Sequence, residues 1–125
     1  MPRTRVKLMV SSTEEYFERA RKRAQAMDRG EMPAPGITIS FEDPMELLKV
    51  ITSERVRLLR RVKDESQQIS ALATGLGRDV RAVSRDVSFL EKAGLLRTSY
   101  QSNPGHGRLK IVESVAQEYK LVANL

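Results

Sequence analysis

Cysteine is absent from this chain and histidine occurs once, at His106. The first absence removes disulfides, zinc–thiolate centres and thiol nucleophiles, and it suits a reducing, cytoplasmic setting. His106 has no Asp or Glu in the ten residues before it. Neither the usual zinc site nor an oriented catalytic base can be assembled around it, so it reads as an exposed loop residue. No apolar run approaches the roughly 18 residues that span a bilayer. The opening Met1–Val10 has too short an apolar run for a secretory signal. Phosphate-cradling loops of the G-x-x-x-x-G-K type, G-x-G-x-x-G and G-x-S-x-G are all missing. Glu14, Glu15 and Glu18 complement a helix start rather than forming a catalytic carboxylate pair. These absences argue against an enzyme: no catalytic, metal-ligating or cofactor-binding residue is expected, and a hydrolase or nuclease would need clusters the sequence lacks.

What is present is positive charge, unevenly placed. The 125 residues carry 22 Lys/Arg against 16 Asp/Glu, a net charge of +6. Residues 53–112 hold 12 of the basic and 6 of the acidic residues, so the whole excess lies in that segment. A polyanion is the first partner to consider for it, and an ordinary solvated surface is the alternative.

Hydrophobic patterning divides the chain. Arg5–Val10 alternates as a short strand. Ser12-Thr13-Glu14-Glu15 is a capping box that opens a helix with Phe17, Ala20, Ala24 and Met27 at helical spacing, closed by Gly30. Gly30–Gly36 holds two prolines and two glycines, which marks a linker and the expected domain boundary. Residues 1–35 are thus read as a strand–helix extension, 36–112 as the main domain and 113–125 as a tail. Within the main domain, Ile37, Ile39 and Phe41 alternate as a strand. Asp43-Pro44 starts a helix to which Met45, Leu47, Leu48 and Ile51 are expected to supply apolar contacts. The five methionines are expected to fill the core. In the tail, Val115, Tyr119 and Val122 suit a helix. Tyr119–Val122 could equally be a last strand pairing with the first, which is the reading preferred.

Three helical patterns and a hairpin follow. The first, near 53–63, carries Val56, Leu59 and Val62. The second carries Ile69, Leu72, Ala73 and Leu76 and stops at Gly77. The third runs from the N-cap Asp79 to Ala93, with Gly94 suited to a left-handed end. Val80, Val83, Val87 and Leu90 are expected to form its inward stripe, and Gly75–Arg78 the turn between the last two helices. The spacing then predicts a hairpin across Asn103–Gly107, with Leu109 and Ile111 on one face and Arg108 and Lys110 on the other. Turning the valines inward would leave Arg78, Arg81, Ser84, Arg85 and Ser88 outside. A major groove admits one helix, and Arg can bond both guanine acceptors. Arg81, Ser84 and Arg85 are therefore the candidates for reading bases, and Arg78, Ser88, Arg108 and Lys110 those for phosphates. The competing reading is a solvated face, with Arg85 paired to Asp79 or Asp86.

The run Gln68–Asp79, followed by Val83–Val87 and Leu90–Leu96, resembles the winged-helix regulators of the MarR and ArsR type. It resembles more closely a compact prokaryotic family of winged-helix regulators, some of which are similar to the antitoxins of toxin–antitoxin pairs. The similarity runs over roughly 37–112. It implies an α+β winged helix-turn-helix fold, binding to double-stranded DNA, usually as a homodimer, and autoregulation; for this chain a repressor is the expectation. The wing loop Gln101–Gly107, with its Pro and His, departs from the resemblance in looking longer than a minimal hairpin. An antitoxin or adaptor acting through protein contacts is the rival function. Residues 1–35 would then dimerise or face a cognate toxin.

Overall fold

The computed structural model describes residues 4–32, 36–105 and 107–125. Among these residues it is a mixed α+β fold with five helices and two three-stranded sheets. The chain divides into two compact units, one formed by residues up to Lys49 together with Glu118–Leu125, the other by Val50–Gln117.

In the first unit, β1 (Arg5–Val10) leads through α1 (Thr13–Asp28) to β2 (Gly36–Phe41), and α2 (Pro44–Val50) follows. β1 is central: β2 lies parallel on one side and β6 (Glu118–Val122) parallel on the other. The period of two shows in the register. Val6 stands between Ile37 and Tyr119, Leu8 between Ile39 and Leu121, and both are fully buried. Each such side chain contributes about 1.5–3 kcal/mol. The expected cap is present, with Ser12 Oγ accepting from the Glu15 amide at 3.1 Å. Arg19 ties α1 to the sheet by donating to Ser11 Oγ at 3.0 Å and Ser40 Oγ at 2.8 Å.

The tail's last strand forms as preferred, parallel to the first. The division of the chain falls elsewhere than the linker suggested. β2 pairs with β1 across that linker, so 36–49 joins the first unit, and the break comes at Lys49–Val50. Of the linker, residues 33–35 lie outside the described residues, as does His106. In α2 only Leu47 and Val50 are buried, whereas Met45 and Leu48 are exposed. Met27 and Met32 are exposed as well, so three of the five methionines do not fill a core.

The second unit contains α3 (Ser53–Val62), β3 (Gln67–Gln68), α4 (Ile69–Leu76), α5 (Val80–Lys92), β4 (Leu96–Asn103) and β5 (Gly107–Ser114). Its sheet is antiparallel in the order β3-β5-β4. The core is the meeting of three helical stripes with two strand positions: Leu58, Leu59 and Val62 of α3, Leu72, Ala73 and Leu76 of α4, Val83, Val87 and Leu90 of α5, and Leu96 and Val112 of the hairpin. α4 ends at Leu76 with Gly77 as its C-cap, the expected stop, and only the start of the expected turn Gly75–Arg78 differs. Gly75 lies inside it, and the link to α5 is Gly77-Arg78-Asp79. Gly77 takes the left-handed conformation at φ 65°, which lets its amide and that of Arg78 close on Thr74 and Ala73 carbonyls at 3.1 and 3.0 Å. β3 has no alternating pattern long enough to detect; it exists because Gln67 and Gln68 lie against Val112 and Ile111.

Candidate nucleic-acid interface

α5 begins at Asp79, whose carboxylate accepts from the Arg81 amide at 3.4 Å, and ends before Gly94 at φ 87°. Its buried stripe is Val83, Val87 and Leu90. Val80, expected in that stripe, is 42% exposed. It is the first residue of the helix. The opposite arc at i, i+4, i+7 and i+11 holds Arg81, Arg85, Ser88 and Lys92, with Ser84 beside them. Arg81, Arg85 and Lys92 are exposed, and Ser84 and Ser88 are half-buried. Lys92 was not among the expected contacts. The signal was its seven-residue distance from Arg85, which closes the same stripe.

Three other arginines of this unit, Arg55, Arg57 and Arg78, are held differently. Asp86 lies between two of them. Arg55 Nε approaches one carboxylate oxygen at 3.2 Å, and Arg78 Nη1 the other at 2.7 Å. Arg78 also reaches Glu54 at 3.6 Å. Arg55 further donates to the Val50 carbonyl at 3.3 Å and lies 3.8 Å above the centre of the Phe89 ring. Arg57 joins Glu54 at 3.0 Å and donates to the Leu76 carbonyl at 3.2 Å, closing the C-terminus of α4. Arg78, read from sequence as a phosphate contact, is thus engaged within the protein, its side chain only 22% exposed. Asp86 is taken up by these two partners, and among the described residues neither Arg81 nor Arg85 enters an ion pair.

The hairpin keeps its alternation but orients it by its base. Tyr100 pairs with Lys110 and Ser102 with Arg108, in line along the strands with the buried Leu96 and Val112. The basic side chains therefore extend the face that packs on the helices, while Leu109 and Ile111 are half-buried on the reverse. Arg108 is exposed and lies 4.9 Å over the Tyr100 ring; Lys110 is half-buried. Pairing continues to Asn103 and Gly107, so the strands extend into the loop Gln101–Gly107 expected. Arg97 and Glu113, opposite one another, form a pair at 3.5 Å.

A family model matches residues 50–118, more than half of the chain and nearly the same residues as the second compact unit. The chain belongs to the HVO_A0114 family. The family segment includes both the α5 arc and the hairpin, and leaves α1 and its flanking strands β1 and β2 outside. Among solved structures, this HVO_A0114 chain is similar to a possible transcriptional regulator from Methanosarcina mazei Go1. The identity is 25%, the TM-score 0.50, and the match covers 58% of this chain and 63% of that one. It therefore spans under two thirds of that protein. No curated protein matches. Among the described residues there is no group of three or more His, Asp or Glu able to hold a metal ion, and no helix long and apolar enough to cross a membrane.

Proposed function

We propose that this protein is a sequence-specific, double-stranded-DNA-binding transcriptional regulator, acting as a repressor and as a homodimer. In this reading Val50–Gln117 is a winged helix-turn-helix, α4 and α5 are its two motif helices, and the β4–β5 hairpin is its wing. The likeness to a possible transcriptional regulator supports the regulatory role. The observation that carries the DNA reading is the contrast among arginines. Arg55, Arg57 and Arg78 are neutralised by acids, while Arg81 and Arg85 stand exposed on the arc of α5 opposite its buried stripe. An ion-paired guanidinium must give up its carboxylate before it can serve DNA; an unpaired one sheds only water and counterions.

Arg81, Ser84 and Arg85 are assigned to base edges, since early residues of the second motif helix reach them. Ser88, Lys92, Arg108 and Lys110 are assigned to phosphates. Arg78 is assigned instead to holding the start of α5, because a phosphate contact would cost its 2.7 Å pair with Asp86.

The test is an anisotropy titration against the DNA upstream of the protein's own gene and against a scrambled duplex, at two salt concentrations. Affinity is expected to fall steeply with salt. Arg81→Ala should weaken the specific complex about tenfold or more, and the scrambled complex much less. Equal affinity for both duplexes, with no difference between wild type and variant, would overturn the reading.

A further inference from the structure

α1 presents an anomaly: sixteen residues of helix without one buried side chain, yet with Tyr16, Phe17 and Met27 exposed by 51, 59 and 58%. Thr13, Phe17, Ala20, Ala24 and Met27 follow one another at alternating steps of four and three, the spacing of a helix–helix seam. The stripe borders a groove of about 510 Å3 against β2, lined by Tyr16, Phe17, Ile39 and Phe41 among others. Single exposed apolar residues need no explanation, but a contiguous stripe at seam spacing marks a contact surface.

We infer that α1 pairs antiparallel with α1 of a second copy of this chain, giving the regulator proposed above its dimer contact outside the DNA-binding unit. Charge selects both the occupant and the direction. The acids Glu14, Glu15 and Glu18 come first along the helix and the bases Arg21, Lys22 and Arg23 after them. Parallel copies would set like charge beside like; antiparallel copies set acid beside base. One register satisfies the seam and the charges together. Phe17 of each helix packs on Ala20 of the other, and Thr13 on Ala24, so the two aromatic rings each meet a methyl group and not one another. That alignment brings Glu14 beside Arg21 of the second copy on one flank, and Tyr16 beside Arg23 on the other. The interface is isologous, as a twofold dimer requires. Glu18 already holds Arg21 at 3.2 Å within one helix, so Arg21 is poised between an acid of its own chain and one of its partner.

Sedimentation velocity on the full chain without DNA tests this inference. Wild type is expected to dimerise in the micromolar range. Glu14→Lys alone and Arg21→Glu alone should each weaken association by about tenfold, because each replaces two symmetric attractions by repulsions. The double variant E14K/R21E should recover it, since each new lysine again faces a glutamate. All these positions are solvent-facing, and circular dichroism checks that the fold is kept. A monomer at every concentration, single variants that associate like wild type, or a double variant no better than the singles would overturn the inference. Arg81→Ala, which tests the DNA reading, should leave sedimentation unchanged, so either idea can fail without the other.

Discussion

Asp86 is the residue on which most of the second unit's electrostatics turns. It satisfies Arg55 and Arg78 together, at 16% exposure, and Arg55 also covers Phe89. Removing the carboxylate takes an ion-pair partner from each of two half-buried guanidinium groups. Asp86→Asn is therefore expected to lower unfolding stability by about 2 kcal/mol, below the cost for a fully buried pair because water reaches these groups. Urea denaturation with an unchanged m-value would register it. The same variant releases positive charge beside the proposed reading head. Its affinity for scrambled DNA should rise and its log-affinity against log-salt slope steepen by roughly one. An unchanged slope would show that both guanidinium groups stay on the protein. Sequence could place Arg78, Arg81 and Arg85 on the outer side but could not tell which of them an acid holds. Asp86 lies 31 residues from Arg55 and eight from Arg78, so which base it neutralises is decided by how α3 docks on α5.

At the scale of elements, the helix ends were the most legible features because capping is local chemistry. Ser12, Asp79 and Gly77 each act within a few residues of their position in the chain. Gly77→Ala forces a Cβ into the left-handed region at φ 65° and is expected to cost about 1 kcal/mol. Ser12→Ala should cost a similar ~1 kcal/mol through the lost cap. Thermal denaturation checks both, and a neutral Gly77→Ala would mean that the turn relaxes to another geometry. What misled was the assumption that each apolar residue on a helical pattern is buried. Val80, Met45 and Leu48 fit their periods yet are exposed, because a period specifies a face and not the extent of the neighbour covering it. The hairpin shows the same limit. Alternation separated Arg108 and Lys110 from Leu109 and Ile111, but the inward face was chosen by Leu96 and Val112 at the strand bases.

Over the whole molecule, the last strand belongs with the first, the pairing preferred from the tail's pattern. β6 completes the sheet of β1 and β2 after the entire second unit has intervened, and Arg5 meets Glu118 at 3.2 Å across 113 positions. Central β1 thus draws on both neighbours for its backbone hydrogen bonds. Deleting residues 118–125 should speed hydrogen exchange at the alternate β1 amides that face β6, while those facing β2 change less. Uniform protection along β1 in the truncated chain would contradict the observed pairing.

Composition and short-range pattern were enough to establish the concentrated positive charge, the three-helix-and-hairpin order, the caps and, Val80 apart, the stripe of α5. Each of these depends on residues a few positions apart or on sums along the chain. Tertiary structure alone decided where the two units divide, which face of the hairpin turns inward, and which arginines remain unpaired. Those outcomes depend on partners brought together from distant positions, and an ion pair or a strand pairing is specified by proximity in space, which no local period encodes.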